Sequence, residues 1–457
     1  MDDKDVIIDQ LMAEIQQLRN ENKALREEIA RLKKNSGNSS KPPSSDIVKP
    51  PKPKGRGKKK RKRGGQKGHK KFERPDFTPE QIDQTIEYEL RDKDIEGLKP
   101  LDEWFVIQQI ELPEKMFYVT EHRARKYLDP LTGKIHIAPI PDEIRKGGLL
   151  GGRFTSMVAF MKSSCHASYG TIRQFCQEMY GVELSRGLLS KVIQKASSAF
   201  QTPYEQLVGQ LPYEHYLGVD ETGHKDDGKL HWSWCFQNSR YGVFHINPSR
   251  GSQVLKAVLG ETFKGTLGSD YYSAYQKYMK DCSVLIQYCM AHLIREIRFL
   301  AEHSNITLSR WGQKLLEWMK KLFETLHRRA DYTESGFNRR MERIKQGFLK
   351  QVRRPPDHKL ARKLKKRFKG KKADNYFVFL TDPSVEPTNN STERAIRYLV
   401  IDRLVTQGTR GQNGMRWCER AWTVVATCKK QGRNVFEFIH EAIIAHWTNQ
   451  QSPTLLC

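Results

Sequence analysis

Three carboxylates stand out by position. Asp220 ends the apolar run Tyr216–Val219 inside "LGVDETGHK", Asp270 ends "GTLGSD", and Glu393 falls in the first turn of a helix expected from "NNSTERAIRYLV". A strand-end Asp usually just solvates a turn, and a Glu near a helix start usually just complements its dipole. Three acids gathered at one spot are different, because they repel one another and a fold gains nothing from assembling them. Hard divalent cations resolve that repulsion, since Mg²⁺ (or Mn²⁺) takes oxygen ligands and keeps positions open for water and phosphate. Two such ions roughly 3.5–4 Å apart serve in-line displacement at phosphorus. Asp220 is expected to bridge both ions, with Asp270 on one and Glu393 on the other. Glu221 points to the opposite strand face and is not expected to bind metal. Glu386, in the Pro-flanked loop "DPSVEPT", is the rival for the third place.

The elements that must position these acids are legible in outline. "HYLGVD", "LHWSWCFQ" and "YGVFHIN" read as strands, the first two joined by the turn "KDDGK". Ser252–Leu259 reads as a helix, and "GTLGSD" and "SVLIQYC" as two further short strands. From His292 to about Gly370 the pattern is helical and basic, with twelve Lys/Arg against one acid in Lys350–Lys372. Three strands, a helix, a strand, a short helix, a strand and more helices match the order of a ribonuclease H-like α/β core. In that order the first and fourth strands are neighbours, and the late helix packs beside them.

The expected organisation begins with a coiled-coil helix over 1–34 and a basic disordered linker over 35–72. A small β-leaning module follows over 73–146, built on "EWFVIQQIEL" and a hairpin turning at "DPLTGK". A helix-turn-helix-like region covers 147–210, with Gly181 as the break and Ser185 as the second helix's cap. A mixed-sheet catalytic domain spans 211–445, interrupted by a helical insertion at about 293–385, before a tail over 446–457.

In the first helix Ile8, Ile15, Asn22 and Ile29 alternate with Leu11, Leu18, Leu25 and Leu32 as a and d positions of a heptad. β-branched a with Leu at d, and one Asn at a, favours a parallel pair. Glu14, Glu21 and Glu28 at g face Arg19, Arg26 and Lys33 at e across such a pair, so a homodimer through residues 8–32 is expected. Between Lys49 and Lys71 there are thirteen Lys/Arg and no acid, the densest part being Lys58, Lys59, Lys60, Arg61, Lys62 and Arg63. With a net charge of +26, from 79 basic against 53 acidic residues, the chain calls for a polyanionic partner. No apolar run approaches the roughly 20 residues that span a bilayer, and the acidic N-terminus is unlike a secretion signal. The expected location is therefore the cytoplasm, in association with the nucleoid. Eight cysteines, all from Cys165 onward, lack the spacing of a disulfide framework.

"VDET", "GSDYYSAY", "CMAHLIREIRF" and "PTNNSTERAIR", with "NSSKPPSSD" and "GGQKGH" near the N-terminus, resemble the signatures of the insertion sequence 66 family of transposases. The resemblance implies a DDE transposase that cuts and rejoins DNA at the ends of a mobile element and inserts them into target DNA. Carried over by position, its triad is Asp220, Asp270 and Glu393, and accessory proteins of the element are common in the family. Family members often carry a cysteine-ligated zinc module before the catalytic region. Residues 1–164 here contain no cysteine, so zinc is not expected there. Cys289 and His292 have metal-pair spacing, yet two ligands fall short of a structural zinc site, and a packing or hydrogen-bonding role is expected, with His292 a possible neighbour of the catalytic ions. Arg394 and Arg397 are candidate phosphate contacts. The rival readings are a nuclease of the same fold that never joins strands, and a DNA-binding architectural protein whose centre has decayed.

Overall fold

Residues 3–34, 75–89, 104–113 and 116–456 are described by the structure, a computed structural model. They fall into two compact units, Met1–Pro50 with His122–Cys457, and Pro51–Glu121. The basic stretch that includes Lys58–Arg63 lies outside the described residues.

In the smaller unit a single 3-10 turn, Pro79–Gln81, is closed by the Gln81 side chain, which accepts the Thr78 N–H at 3.0 Å. Gln108 accepts the Phe77 N–H at 2.6 Å and donates to the Phe77 carbonyl at 3.1 Å. The strand expected over "EWFVIQQIEL" is not formed. Residues 104–113 carry no ladder among the described residues, and Trp104, Phe105 and Ile107 are exposed. A strand-like pattern makes a strand only where a neighbour supplies the paired N–H and C=O groups.

In the larger unit α1 (Asp3–Leu32) is one continuous helix. Its apolar seam is exposed, from 43% at Ile15 to 62% at Leu25, although Ile15, Leu18 and Asn22 border a cavity with His303, Asn305 and His358. The expected hairpin forms between β1 (Lys126–Leu128) and β2 (Ile135–Ile137), closed by Asp129 N–H to the Lys134 carbonyl at 2.8 Å. It is only three residues a side, and it belongs to this unit, so the module expected over 73–146 is divided between the two units. Next come α2 (Asp142–Gly147), α3 (Gly152–Ser163), α4 (Tyr169–Tyr180), α5 (Arg186–Ala199) and α6 (Gln201–Gln210). α4 ends at Gly181 with φ of 64°, a left-handed turn that glycine adopts without strain. α5 starts under Ser185, whose hydroxyl accepts the Leu188 N–H at 3.1 Å.

The sheet is built from β3 (Tyr216–Asp226), β4 (Lys229–Gln237), β5 (Gly242–Asn247), β6 (Thr266–Ser269) and β7 (Leu285–Tyr288), with α7 (Ser252–Leu259) and α8 (Ser273–Cys282) between the later strands. Its order is β5-β4-β3-β6-β7: the first three are antiparallel, and β6 and β7 run parallel to β3. Asp227 and Gly228, both at positive φ, make the two-residue turn between β3 and β4. The expectation that Asp220 closes its strand needs correction, because β3 continues six residues further, to Asp226. What ends at Gly218 is the parallel ladder to β6. Past that pair β3 stays paired with β4, and its other edge is met by Asn389 at Val219 and by Thr409 at its tip.

A helical segment follows: α9 (Met290–Ala301), α10 (Ile306–His327), α11 (Glu334–Arg353) and α12 (Lys359–Lys366). The chain then returns to the sheet through α13 (Asn390–Thr406), α14 (Gln412–Lys430) and α15 (Val435–Thr448). α13 packs on β3, α14 on β5 and α15 on α3, and one apolar cluster runs from Val158 and Leu189 through Val219 and Phe244 to Val425 and Ile439. The helices of 147–210 thus share their core with the sheet. Among the described residues no helix is long and apolar enough to cross a membrane, and every cysteine is free.

The tip of β3 is tied to the α13–α14 turn. Thr409 N–H donates to the Lys225 carbonyl at 2.8 Å, Asp227 N–H to the Thr409 carbonyl at 2.9 Å, and Gly411 N–H to Asp226 Oδ1 at 2.8 Å. The Thr409 hydroxyl donates to Asp226 at 2.7 Å, so its contact with His224 Nε2 at 2.9 Å is one in which His224 donates. Burial, with the nearby Arg403 charge, pushes the His224 pKa down to about 4. Because the folded value lies below the unfolded one, the unfolded chain takes the extra proton. This stability is complete above about pH 6.5 and is lost as pH falls toward 4, roughly 3 kcal/mol in all. Chemical denaturation between pH 7 and 4.5 should therefore show falling stability, and His224→Gln should flatten that slope.

Candidate active site

Asp220 and Asp270 stand two residues beyond the last parallel pair of their strands, Gly218 with Gly268, so the ladder sets them side by side. Each is half-buried and accepts one backbone bond: Asp220 Oδ1 from Glu221 N–H, and Asp270 Oδ1 from Tyr272 N–H, both at 2.9 Å. Among the described residues, neither carboxylate makes an ion pair. Burial, then the charges of Glu221 and Asp270, push the Asp220 pKa well above the ordinary carboxylate range. Burial also raises Asp270, though His292, Arg250 and Arg367 pull against it. These are hard oxygen donors with open lone pairs in mutual repulsion, a donor set that fits a divalent cation of the Mg²⁺ type.

Glu393 arrives from far along the chain, and two contacts dock its helix. Asn389 Nδ2 donates to the Val219 carbonyl at 2.9 Å, one residue before Asp220. Thr392 lies against Gly218, where a Cβ would come within 2.4 Å of the Thr392 hydroxyl oxygen. Only glycine permits that approach. Glu393 follows directly, and its charge contributes to raising Asp220.

In this conformation the Glu393 side chain is held by α9. His292 Nε2 lies 2.9 Å from Oε1, and Arg295 Nη2 reaches Oε1 at 3.2 Å and Oε2 at 3.3 Å. Burial alone would raise the Glu393 pKa, but the His292 hydrogen bond and the Arg295 charge hold it below its ordinary value. Among the described residues, the one group of three or more potential ligand atoms lying within 4.8 Å of one another is Cys289, His292 and Glu393. The Cys289 sulfur accepts the Asn389 N–H at 3.1 Å, and burial favours its neutral thiol. Met290 N–H also donates to the Pro387 carbonyl at 2.9 Å, so the Cys-x-x-His turn joins α9 to the start of α13. Glu386, the rival acid, accepts the Ser391 hydroxyl at 2.8 Å. Arg394 and Arg397 are exposed on α13.

Glu221 goes to the other face of β3, as strand alternation requires. Arg250 Nε donates to its Oε1 at 2.7 Å, and the Tyr275 hydroxyl donates to its Oε2. Sequence reasoning missed Asn389, Arg295 and Arg250. Arg295 was within reach, since it sits one helical turn from His292 in "CMAHLIREIRF". Asn389 and Arg250 lie in loops, where sequence spacing does not fix direction.

A family model described as "Transposase IS66 family" matches residues 147–416, more than half of the chain and all three acids. A second model, for a family of unknown function, matches residues 2–75. No curated protein matches the chain.

The repulsion at Asp220 has a measurable sign. Without divalent ions, Asp220→Asn should raise the melting temperature by the equivalent of about 1 kcal/mol. Mg²⁺ should then stabilise the wild-type chain and leave the variant unchanged. A variant that melts lower without metal, or gains as much from Mg²⁺, would contradict this account of the acids.

Proposed function

Because the chain belongs to the IS66 family of transposases, we propose that it cuts and joins DNA at the ends of a mobile element, with Asp220, Asp270 and Glu393 as its catalytic acids. The observation that carries this reading is the pair of carboxylates with no ion pair among the described residues, just past the β3–β6 ladder, with the Glu393 helix docked on Val219. The mixed sheet, three antiparallel strands followed by two parallel ones, fits the ribonuclease H-like core expected from the sequence and supports the same assignment.

Asp220 and Asp270 would hold two Mg²⁺ (or Mn²⁺) ions, with Glu393 completing the set. When bound, such ions activate an attacking oxygen and stabilise the leaving one during displacement at phosphorus. The protein's own groups do the rest. Val219 and Gly218 fix the depth of α13, so Glu393 is presented at a constant height above the strand pair. His292 and Arg295 hold its carboxylate ionised until a cation competes for it. Water is the first nucleophile, and the freed 3′-hydroxyl attacks target DNA in the second displacement, so both steps use one centre. Arg394 and Arg397, together with the basic stretch around Lys58–Arg63, would supply phosphate contacts that add affinity without sequence choice. The α4–α5 pair is the element we assign to DNA recognition.

Asp220→Asn, Asp270→Asn and Glu393→Gln should each lower cleavage of element-end DNA by roughly 1000-fold or more, while affinity for that DNA stays within about twofold. Pre-cut ends should give joined product in Mg²⁺. Hydrolysis without joining would mark a nuclease, and parallel loss of binding would make the acids structural.

The exposed seam of α1 supports a parallel homodimer. A lone helix with Ile and Leu at a and d exposes apolar area that pairing buries, and Asn22 would meet its twin. Leu18→Glu combined with Leu25→Glu should convert a dimer to a monomer in sedimentation. A wild-type chain that sediments as a monomer would refute the pairing.

A further inference from the structure

Asp270 is followed by Tyr271 and Tyr272, and each ring carries a guanidinium on its face. Arg367, brought in by the helical segment, lies 4.1 Å from the Tyr271 centroid, and Arg250 lies 4.0 Å from that of Tyr272. The two arginines differ in what they leave open. Arg367 is buried, and its donors are taken by the Tyr376 hydroxyl, at 2.7 Å from Nε, and by Glu296. Its role is to brace the insertion against the sheet.

Arg250 is built otherwise. Its Nε donates to Glu221 Oε1 and its Nη2 lies 2.7 Å from the same oxygen, while Tyr275 satisfies the other oxygen. The Trp232 ring also packs on the guanidinium, its centroid 4.5 Å away. An arginine so held has already lost its rotamer freedom and presents a fixed fork. Yet the side chain is 36% exposed, and Nη1 has no hydrogen-bond partner among the described residues. Nη1 and the remaining Nη2 hydrogen are the donors left for a ligand. The residue on which the guanidinium stacks, Tyr272, donates its backbone N–H to Asp270 Oδ1 at 2.9 Å, which sets the fork next to the segment that carries that acid. The fork is rigid, and its Nη1 edge has no structural task left to perform.

We infer that Arg250 is a phosphate-binding residue, whose Nη1 edge takes a non-bridging oxygen of the DNA phosphate next to the one being cut. The inference rests on reading Asp220 and Asp270 as the acids that act on that phosphodiester. Glu221 and Tyr275 are its positioning residues, and Trp232 and Tyr272 fix the plane of the fork.

The test is equilibrium binding in chelator, using element-end duplexes that carry a single neutral methylphosphonate at successive positions across the cut. The wild-type chain should lose about tenfold in affinity at one position beside the cut, the scale of a charge-assisted hydrogen bond. Arg250→Ala should bind natural DNA about tenfold more weakly and be indifferent to the neutral group at that position alone. Arg250→Gln, which can still donate to Glu221, carries the same comparison if the alanine variant fails to fold. Natural affinity in these variants, or a neutral-phosphate penalty that persists at every position, would overturn the proposal. Binding is read without metal, so the outcome is independent of catalysis. Asp220→Asn should keep the wild-type position profile even though it no longer cleaves.

Discussion

Electrostatic repulsion between neighbouring carboxylates is the constraint around which this molecule is arranged. Asp220 and Asp270 come together because β3 and β6 pair in parallel with Gly218 opposite Gly268, and Glu221 adds a third charge one residue away. Left alone, such a group would force its members to protonate. The fold treats each acid differently. Glu221 is neutralised on the far face by Arg250 and Tyr275, Glu393 is met by His292 and Arg295, and Asp220 and Asp270 have no ion pair among the described residues. That selective neglect marks the pair as a place for something the chain does not itself supply.

Much of this was legible in the sequence, and the reasons are physical. Apolar runs bounded by turn residues gave the sheet strands, and Asp227–Gly228 gave their hairpin, because strand period and positive-φ turns are local properties. The capping of α5 by Ser185 was equally local. The extent of β3 beyond Asp220 was not legible, since "ETGHKD" is polar and its pairing depends on β4 and on Thr409. "EWFVIQQIEL" failed for the converse reason: its local pattern is strand-like, but the described residues give it no ladder.

The site divides in the same way. The elements carrying Asp220, Asp270 and Glu393 could be read from the sequence, but the partners of Glu393 could not, because Arg295 and His292 belong to another helix. The Cys-x-x-His spacing pointed toward metal or packing, and its geometry is that of a junction, with Cys289 receiving the backbone of Asn389 and His292 receiving Glu393. Two kinds of information are involved. Spacing reports which residues share a face, and only the tertiary packing reports what that face meets.

The fastening of β3 at two points has a mechanical consequence for the late acid. α13 is attached to the strand at its start, through Asn389 and Val219, and just past its end, through Thr409 with Lys225 and Asp226. A rod gripped at both ends against one rail can neither slide lengthwise nor roll without breaking bonds at the opposite end. The only motion left to Glu393 is in its own torsions, so any change of partner by that carboxylate is a side-chain swing about a stationary backbone, on the timescale of rotamer exchange and not of domain rearrangement.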